Sequence, residues 1–170
     1  MKNIYQEFKQ FSSQMEKKLS DLNLSLTDYP LDHVGYRAKT KEDYKELLNL
    51  FQDNSVLYTT KQHHGRAFHM FVLKEPLEFN EVSIPYIEFA EPGGSDSYER
   101  GFQHIEFLTN KTTEEIVTHK SKLKDLLFEG KFGDETYLKW PDKTAVKVTK
   151  LALTTKSLLD KEAKIMLTSR

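Results

Sequence analysis

The sequence predicts an α+β fold made of two paired βαβββ modules, which form a curved mixed sheet around a cleft. Three observations carry the prediction. The stretches LDHVGYRAKTKEDYKEL (31–47) and GFQHIEFLTNKTTEEI (101–116) echo each other, each setting a histidine in a short apolar strand and following it with a charged helical pattern. Each of these is followed by further short strand patterns. The strongest loop signal, PGGSDS at 92–97, falls near the middle of the chain, where one unit gives way to the next.

Taken in order, the apolar residues Ile4, Tyr5, Phe8, Phe11, Met15, Leu19, Leu22 and Leu24 recur mostly at threes and fours, the stripe of an amphipathic helix. Thr27, Asp28 and Pro30 interrupt it. LDHVGYRA then reads as a strand with His33, Gly35 and Arg37 on one face and Val34 and Tyr36 on the other. Thr40, with Asp43 three residues on, has the form of an N-cap, opening a helix that turns Tyr44, Leu47, Leu48 and Phe51 inward. Three strands follow: SVLYTTKQ, RAFHMFVLK and VSIPYIEFAE, the last two parted at Glu75-Pro76.

After the loop the order restarts. FQHIEFLT is a strand, residues 112–127 a helix with Ile116, Leu123, Leu126 and Leu127 inward, and KFGDETYLKW and TAVKVTKLAL hold two or three short strands. Residues 157–166 read as a short closing helix. The whole is expected to be one domain over 1–170: an N-terminal helix in 1–26, modules at 31–91 and 102–153, and a C-terminal helix in 154–170.

Composition narrows the chemistry. The 170 residues include no cysteine, which excludes disulfides, thiolate metal sites and cysteine nucleophiles, so any metal must be held by nitrogen and oxygen. With 25 basic and 26 acidic side chains the net charge is -1, and no global field favours nucleic acid or an anionic membrane. No apolar run approaches a membrane span, and MKNIYQEFKQF has no apolar signal core behind its lysine. The expectation is a cytoplasmic protein with a small-molecule substrate or ligand, no nucleic-acid partner and no membrane. The lysines at 120, 122 and 124 are matched by Glu114, Glu115 and Asp125 and read as a solvated helix face. Nucleotide loops and nucleophile elbows (GxSxG, Walker A, GxGxxG after a strand) are absent from the sequence.

If the modules pair, their first and last strands line the cleft. There the sequence offers His33, Glu88 and His104: two imidazoles and a carboxylate on rigid strands, a facial ligand set that leaves positions open on a divalent metal such as zinc, nickel, manganese or iron. Against it stands the plainer reading in which each histidine is a packed residue and Glu88 faces solvent on an edge strand. His63 and His64 flank a turn at Gly65 and read as solvated, while of His69 and Met70 one faces the core and the pattern leaves open which.

In LDHVGYR, HGRAFHMFVLKEPL, YIEFAEPG with its sixteen-residue step from Glu88 to His104, GFQHIEF and DKTAVKV, the chain resembles the vicinal oxygen chelate superfamily of glyoxalases and extradiol dioxygenases, and within it the YecM-like proteins. The resemblance covers about residues 30–150. It implies paired βαβββ modules, a metal in the cleft with His33, Glu88 and His104 at ligand positions, and pairing of two chains into a homodimer. One departure matters: the superfamily commonly carries a carboxylate on the closing strand of the second module, where this sequence has Lys147 in PDKTAVKV. Such a lysine repels a metal but suits an anionic substrate or a developing enolate. Glu106, on the strand face of His104, is a candidate base or replacement carboxylate, and Arg37 and Arg66 are candidates for gripping a substrate carboxylate. The function this implies is a metal-dependent enzyme on a small oxygen-rich substrate. The alternatives are a non-enzymatic ligand- or metal-binding module of the same fold, or an interaction protein in which the histidines only pack.

Overall fold

Ile4, Phe8, Phe11, Met15 and Leu19 form one buried stripe along α1 (Lys2–Asp21), and Leu47 and Phe51 do the same along α2 (Lys41–Asp53). Thr40 caps α2 reciprocally, its hydroxyl accepting from the Asp43 amide while the Asp43 carboxylate accepts from the Thr40 amide. The computed structural model describes residues 1–22, 24–25, 29–63, 65–93, 99–109, 127–129, 135–149 and 164–167. The expected helix at 112–127 falls outside them up to residue 126, as do the lysines at 120, 122 and 124, His64, and residues 157–163 of the expected closing helix.

Among the described residues nine strands make one open mixed sheet: β1 (Leu31–Arg37), β2 (Ser55–His63), β3 (Arg66–Phe79), β4 (Val82–Ala90), β5 (Gly101–Leu108), β6 (Leu127–Glu129), β7 (Glu135–Lys139), β8 (Ala145–Thr149) and β9 (Lys164–Leu167), in the order β6-β7-β8-β5-β1-β4-β3-β2-β9. The order repeats itself. Each module places its opening strand parallel to its closing one, β1 with β4 and β5 with β8, with a hairpin beyond. The two opening strands meet antiparallel at the centre, as a local twofold axis requires. Both helices pack on the face of Val34, Tyr36, Phe71, Phe89 and Ile105, and Tyr36, Phe51, Phe71 and Phe89 interlock there with ring centroids 5.2–6.5 Å apart. The opposite face belongs to the cleft.

Register makes the repeat residue-specific. Val34 and Ile105 face each other, and turning about that pair carries His33 onto His104 and Gly35 onto Glu106. The parallel ladders extend the relation outward: Gly35 stands beside Glu88 and Glu106 beside Lys147, so Glu88 and Lys147 are equivalent. Each opening strand also carries one extra residue just before its histidine, Asp32 between Leu31 and His33 and Gln103 between Phe102 and His104. These bulges let Phe102 turn onto Phe8, Phe11 and Tyr36 at ring distances of 5.0, 5.7 and 4.8 Å, while His104, two residues on, faces the cleft.

Three expectations are corrected. Glu75-Pro76 does not end a strand: β3 continues to Phe79 and turns at Asn80 and Glu81, both with positive φ (48 and 65). Pro76 is tolerated because the β3–β4 register breaks between Val72 and Leu77, and Pro85 of β4 lies opposite the same irregularity, where no ladder donor is needed. Residues 164–166, expected as the end of a closing helix, belong instead to β9, which pairs antiparallel with β2 and satisfies its outer edge. Leu127 likewise opens β6 rather than ending a helix. No helix of the described residues is long and apolar enough to cross a membrane.

Candidate metal centre

The antiparallel meeting of β1 and β5 brings both histidines to one point. His33 and His104 are fully buried, and their Nε2 atoms lie 3.4 Å apart with the rings nearly perpendicular, 85°. Glu88, 7 % exposed, enters from β4 and places Oε2 3.9 Å from His33 Nε2. One ligand atom each from His33, Glu88 and His104 lies within 4.8 Å of the others.

The residue before each histidine sets its orientation. His33 Nδ1 meets the Asp32 carboxylate at 2.9 Å, and His104 Nδ1 meets Gln103 Oε1 at 3.2 Å. A carboxylate only accepts, so His33 Nδ1 carries the proton. The Gln103 amide donates its Nε2 to the Lys143 carbonyl at 3.3 Å, which leaves its oxygen for His104. Both Nε2 lone pairs are therefore directed into the same space, an arrangement that repels unless a positive charge lies between them.

Two imidazole nitrogens bound to one ion at about 2.1 Å and a near-tetrahedral angle stand about 3.4 Å apart. The observed separation of 3.4 Å fits that demand. Burial and the donor set fit it too, since two nitrogens and a carboxylate oxygen suit zinc, nickel, manganese or iron.

Charges around the cluster are unevenly shared. Burial opposes protonation of His33, but Glu106, the Asp32 hydrogen bond and Glu88 outweigh it and raise its affinity for a proton. His104 goes the other way: burial and then Lys147 hold it well below the usual histidine range. Burial opposes the charge of Glu88, yet Arg37, Lys147 and the histidines keep it well below the usual carboxylate range. Arg37 Nη2 donates to Glu88 Oε1 at 2.6 Å and so aims that carboxylate.

Gly35 makes room for all this. A Cβ there would lie 2.0 Å from His104 Cε1, so the position must lack a side chain for the ring to stand where it does.

Of the residues singled out from sequence, His33, Glu88, His104 and Arg37 come together directly. Glu106, 1 % exposed, reaches the same His33 nitrogen, with Oε2 3.5 Å from Nε2, and groups with His33 and Asp32 rather than with Glu88 and His104. Lys147 Nζ is 3.8 Å from Glu106 Oε2. Arg66 stands apart: its Nε and Nη2 donate to the Glu91 carbonyl at 2.8 and 2.5 Å, and its guanidinium lies over Phe68. His69 and Met70 are both buried, His69 on the helix-bearing face between the Tyr44 and Thr60 hydroxyls at 2.6 and 2.9 Å. Asp32 and Gln103 were not foreseen, although a polar side chain precedes the histidine in both halves of the echo, LDH and FQH.

The model of one protein family, described as YecM protein, matches residues 1–160. The chain belongs to the YecM family. A relative from Haemophilus influenzae (strain ATCC 51907 / DSM 11121 / KW20 / Rd), described as an uncharacterized protein, is 21% identical over 98 residues, which are 58% of this chain and 51% of that one. The chain thus spans about half the length of that curated relative. The solved structure "Structural Genomics, Protein EC4020" superposes with a TM-score of 0.77 over 91% of this chain and 89% of its own at 17% identity, and shares the fold of this YecM family member. The cppA protein of Streptococcus pneumoniae TIGR4 reaches a TM-score of 0.26 at 9% identity over 72% of this chain and 73% of its own, too low to bear on the fold.

Proposed function

We propose that this YecM family member is a metal-dependent enzyme of the vicinal oxygen chelate type, holding a divalent ion with His33, Glu88 and His104 and acting on a small oxygen-rich substrate. The single observation that carries this is the buried pair of Nε2 atoms 3.4 Å apart, each imidazole clasped from behind through Nδ1. A divalent ion would supply Lewis-acid polarisation of two adjacent substrate oxygens, or dioxygen chemistry if it is iron.

The chain's own groups supply the rest. Arg37 aims Glu88, Asp32 and Gln103 aim the imidazoles, and the burial of both histidines excludes water from the cluster. Glu106 is the proton acceptor in this reading, since burial beside an imidazole and an ammonium places a carboxylate oxygen where no bulk water competes. Arg66, over Phe68 at the start of β3 next to Glu91, is an outer contact for a substrate carboxylate in the same reading. A small-molecule partner, a cytoplasmic location and pairing of two chains complete it, the near-zero net charge of -1 arguing against nucleic acid and anionic membrane.

Elemental analysis of protein purified without a histidine tag tests the proposal. About one divalent ion per chain in the wild type, lost in His104→Ala, is the expected outcome by the ligand set. Wild-type protein that carries no ion and takes none up on addition of zinc, nickel, manganese or iron(II) overturns it.

A further inference from the structure

The equivalence of Glu88 and Lys147 says what occupies the open side of this centre. The inference rests on the metal-centre reading above and deepens it. We infer that the site takes an anionic chelating ligand of the 2-hydroxy- or 2-oxocarboxylate class, whose negatively charged oxygen lies between the metal and the Lys147 ammonium.

Placement comes first. The twofold relation that superposes His33 on His104 also superposes Glu88 on Lys147, so β8 delivers an ammonium to the centre from the side opposite the carboxylate delivered by β4. Lys147 is near enough to bear on the charge of both Glu88 and His104. A ligand filling coordination positions left open by Glu88 therefore meets a cation where a fourth protein ligand would otherwise stand.

The two cations of the cluster differ in how tightly they are engaged. Arg37 is committed to Glu88 at 2.6 Å. Lys147 stands 3.8 Å from Glu106, an ion-pair distance longer than a hydrogen bond, and its side chain is 19% exposed beside the buried histidines. Of the two cations Lys147 is therefore the one not held in a short contact with a carboxylate.

Net charge agrees. Asp32, Glu88 and Glu106 set three negative charges against Arg37 and Lys147, a balance of one negative with neutral imidazoles. A divalent ion reverses the balance to one positive, and one monoanion neutralises it. A neutral diol or ketol leaves that charge buried, which is costly. A hydroxy- or oxocarboxylate supplies both the anion and the adjacent second oxygen for chelation.

Cobalt-loaded protein tests this through its visible spectrum, titrated with glycolate and with its neutral analogue hydroxyacetone. In the wild type, glycolate is expected to bind about tenfold or more tighter than hydroxyacetone, the worth of one charge-assisted hydrogen bond. Lys147→Met is expected to lose about that factor for glycolate alone while keeping its cobalt, and Lys147→Arg to retain it. Equal affinities for the two probes, an unchanged glycolate affinity in Lys147→Met, or no glycolate binding up to tens of millimolar overturns the inference and leaves the metal centre standing. Failure to take up cobalt at all overturns the metal-centre reading, and this inference with it.

Discussion

Gly35 of β1 and His104 of β5 stand opposite each other so closely that a Cβ on Gly35 would fall 2.0 Å from His104 Cε1 and 2.3 Å from its Nδ1. The requirement is for space rather than for backbone freedom, since Gly35 is not among the positive-φ residues. Gly35→Ala is therefore expected to push the imidazole off the point it shares with His33. Metal content should fall well below one ion per chain although every ligand is present, and elemental analysis alongside a melting curve reads both effects. A Gly35→Ala protein with wild-type metal content would refute the close-packing account.

Asp32 and Gln103 act on the imidazoles from behind, so removing their acceptors should loosen the ion without unfolding the sheet. Asp32→Leu and Gln103→Leu are each expected to weaken zinc binding about 10–100-fold, in line with the loss of a group that orients a metal-ligating histidine. Competition with a chromophoric chelator measures it. Unaltered affinity in both variants would mean that packing alone orients the rings.

His69 predicts the acid limb of stability. Burial, only partly opposed by Glu91, lowers its pKa from 6.5 to about 4, and the ring is held neutral between Tyr44 and Thr60. The unfolded chain takes up a proton near the ordinary histidine value and the folded chain does not, so this contribution is complete above about pH 6.5 and is lost progressively as pH falls toward about 4. The span corresponds to about 3 kcal/mol at most. Urea midpoints between pH 7 and pH 4 should drop more steeply in the wild type than in His69→Gln, and parallel curves would show that His69 is not the group responsible.

Phe51 and Thr40 separate two ways of holding α2. Phe51 is fully buried against Tyr36, Phe71 and Phe89, and Phe51→Ala is expected to cost about 3–5 kcal/mol through lost contact and the cavity left behind. Thr40→Ala removes one hydroxyl from the capping box and should cost only about 1 kcal/mol. Urea unfolding of both variants checks the ranking, and a reversed order would contradict it.

The alternation of β1 was enough to place His33, Gly35 and Arg37 on the cleft face and Val34 and Tyr36 in the core, because one polar and one apolar face leave only one register. The Thr40–Asp43 cap was legible for a similar reason, being a local contact between residues three apart. Long-range pairing was not. KIML at 164–167 is a strand because the outer edge of β2 is there to receive it, and nothing within four residues announces that edge. Pro76 reads as a terminator until its partner strand is known to break register at the same place. Glu106 shares the strand face of His104 in sequence, yet the pairing of β1 with β5 sets it against His33 instead.

The seam between β1 and β5 has the geometry of an interface between two identical subunits. The first module alone would leave β1 as an open edge, and the strand that fits that edge in register is another β1 turned by half a revolution. Two such copies would bring together two histidines at position 33 and two glutamates at position 88, a ligand shell with no front or back. Carrying both halves in one polypeptide lets them diverge. Lys147 in place of the second glutamate is such a divergence, and it gives an otherwise symmetric centre a single direction from which a ligand can arrive.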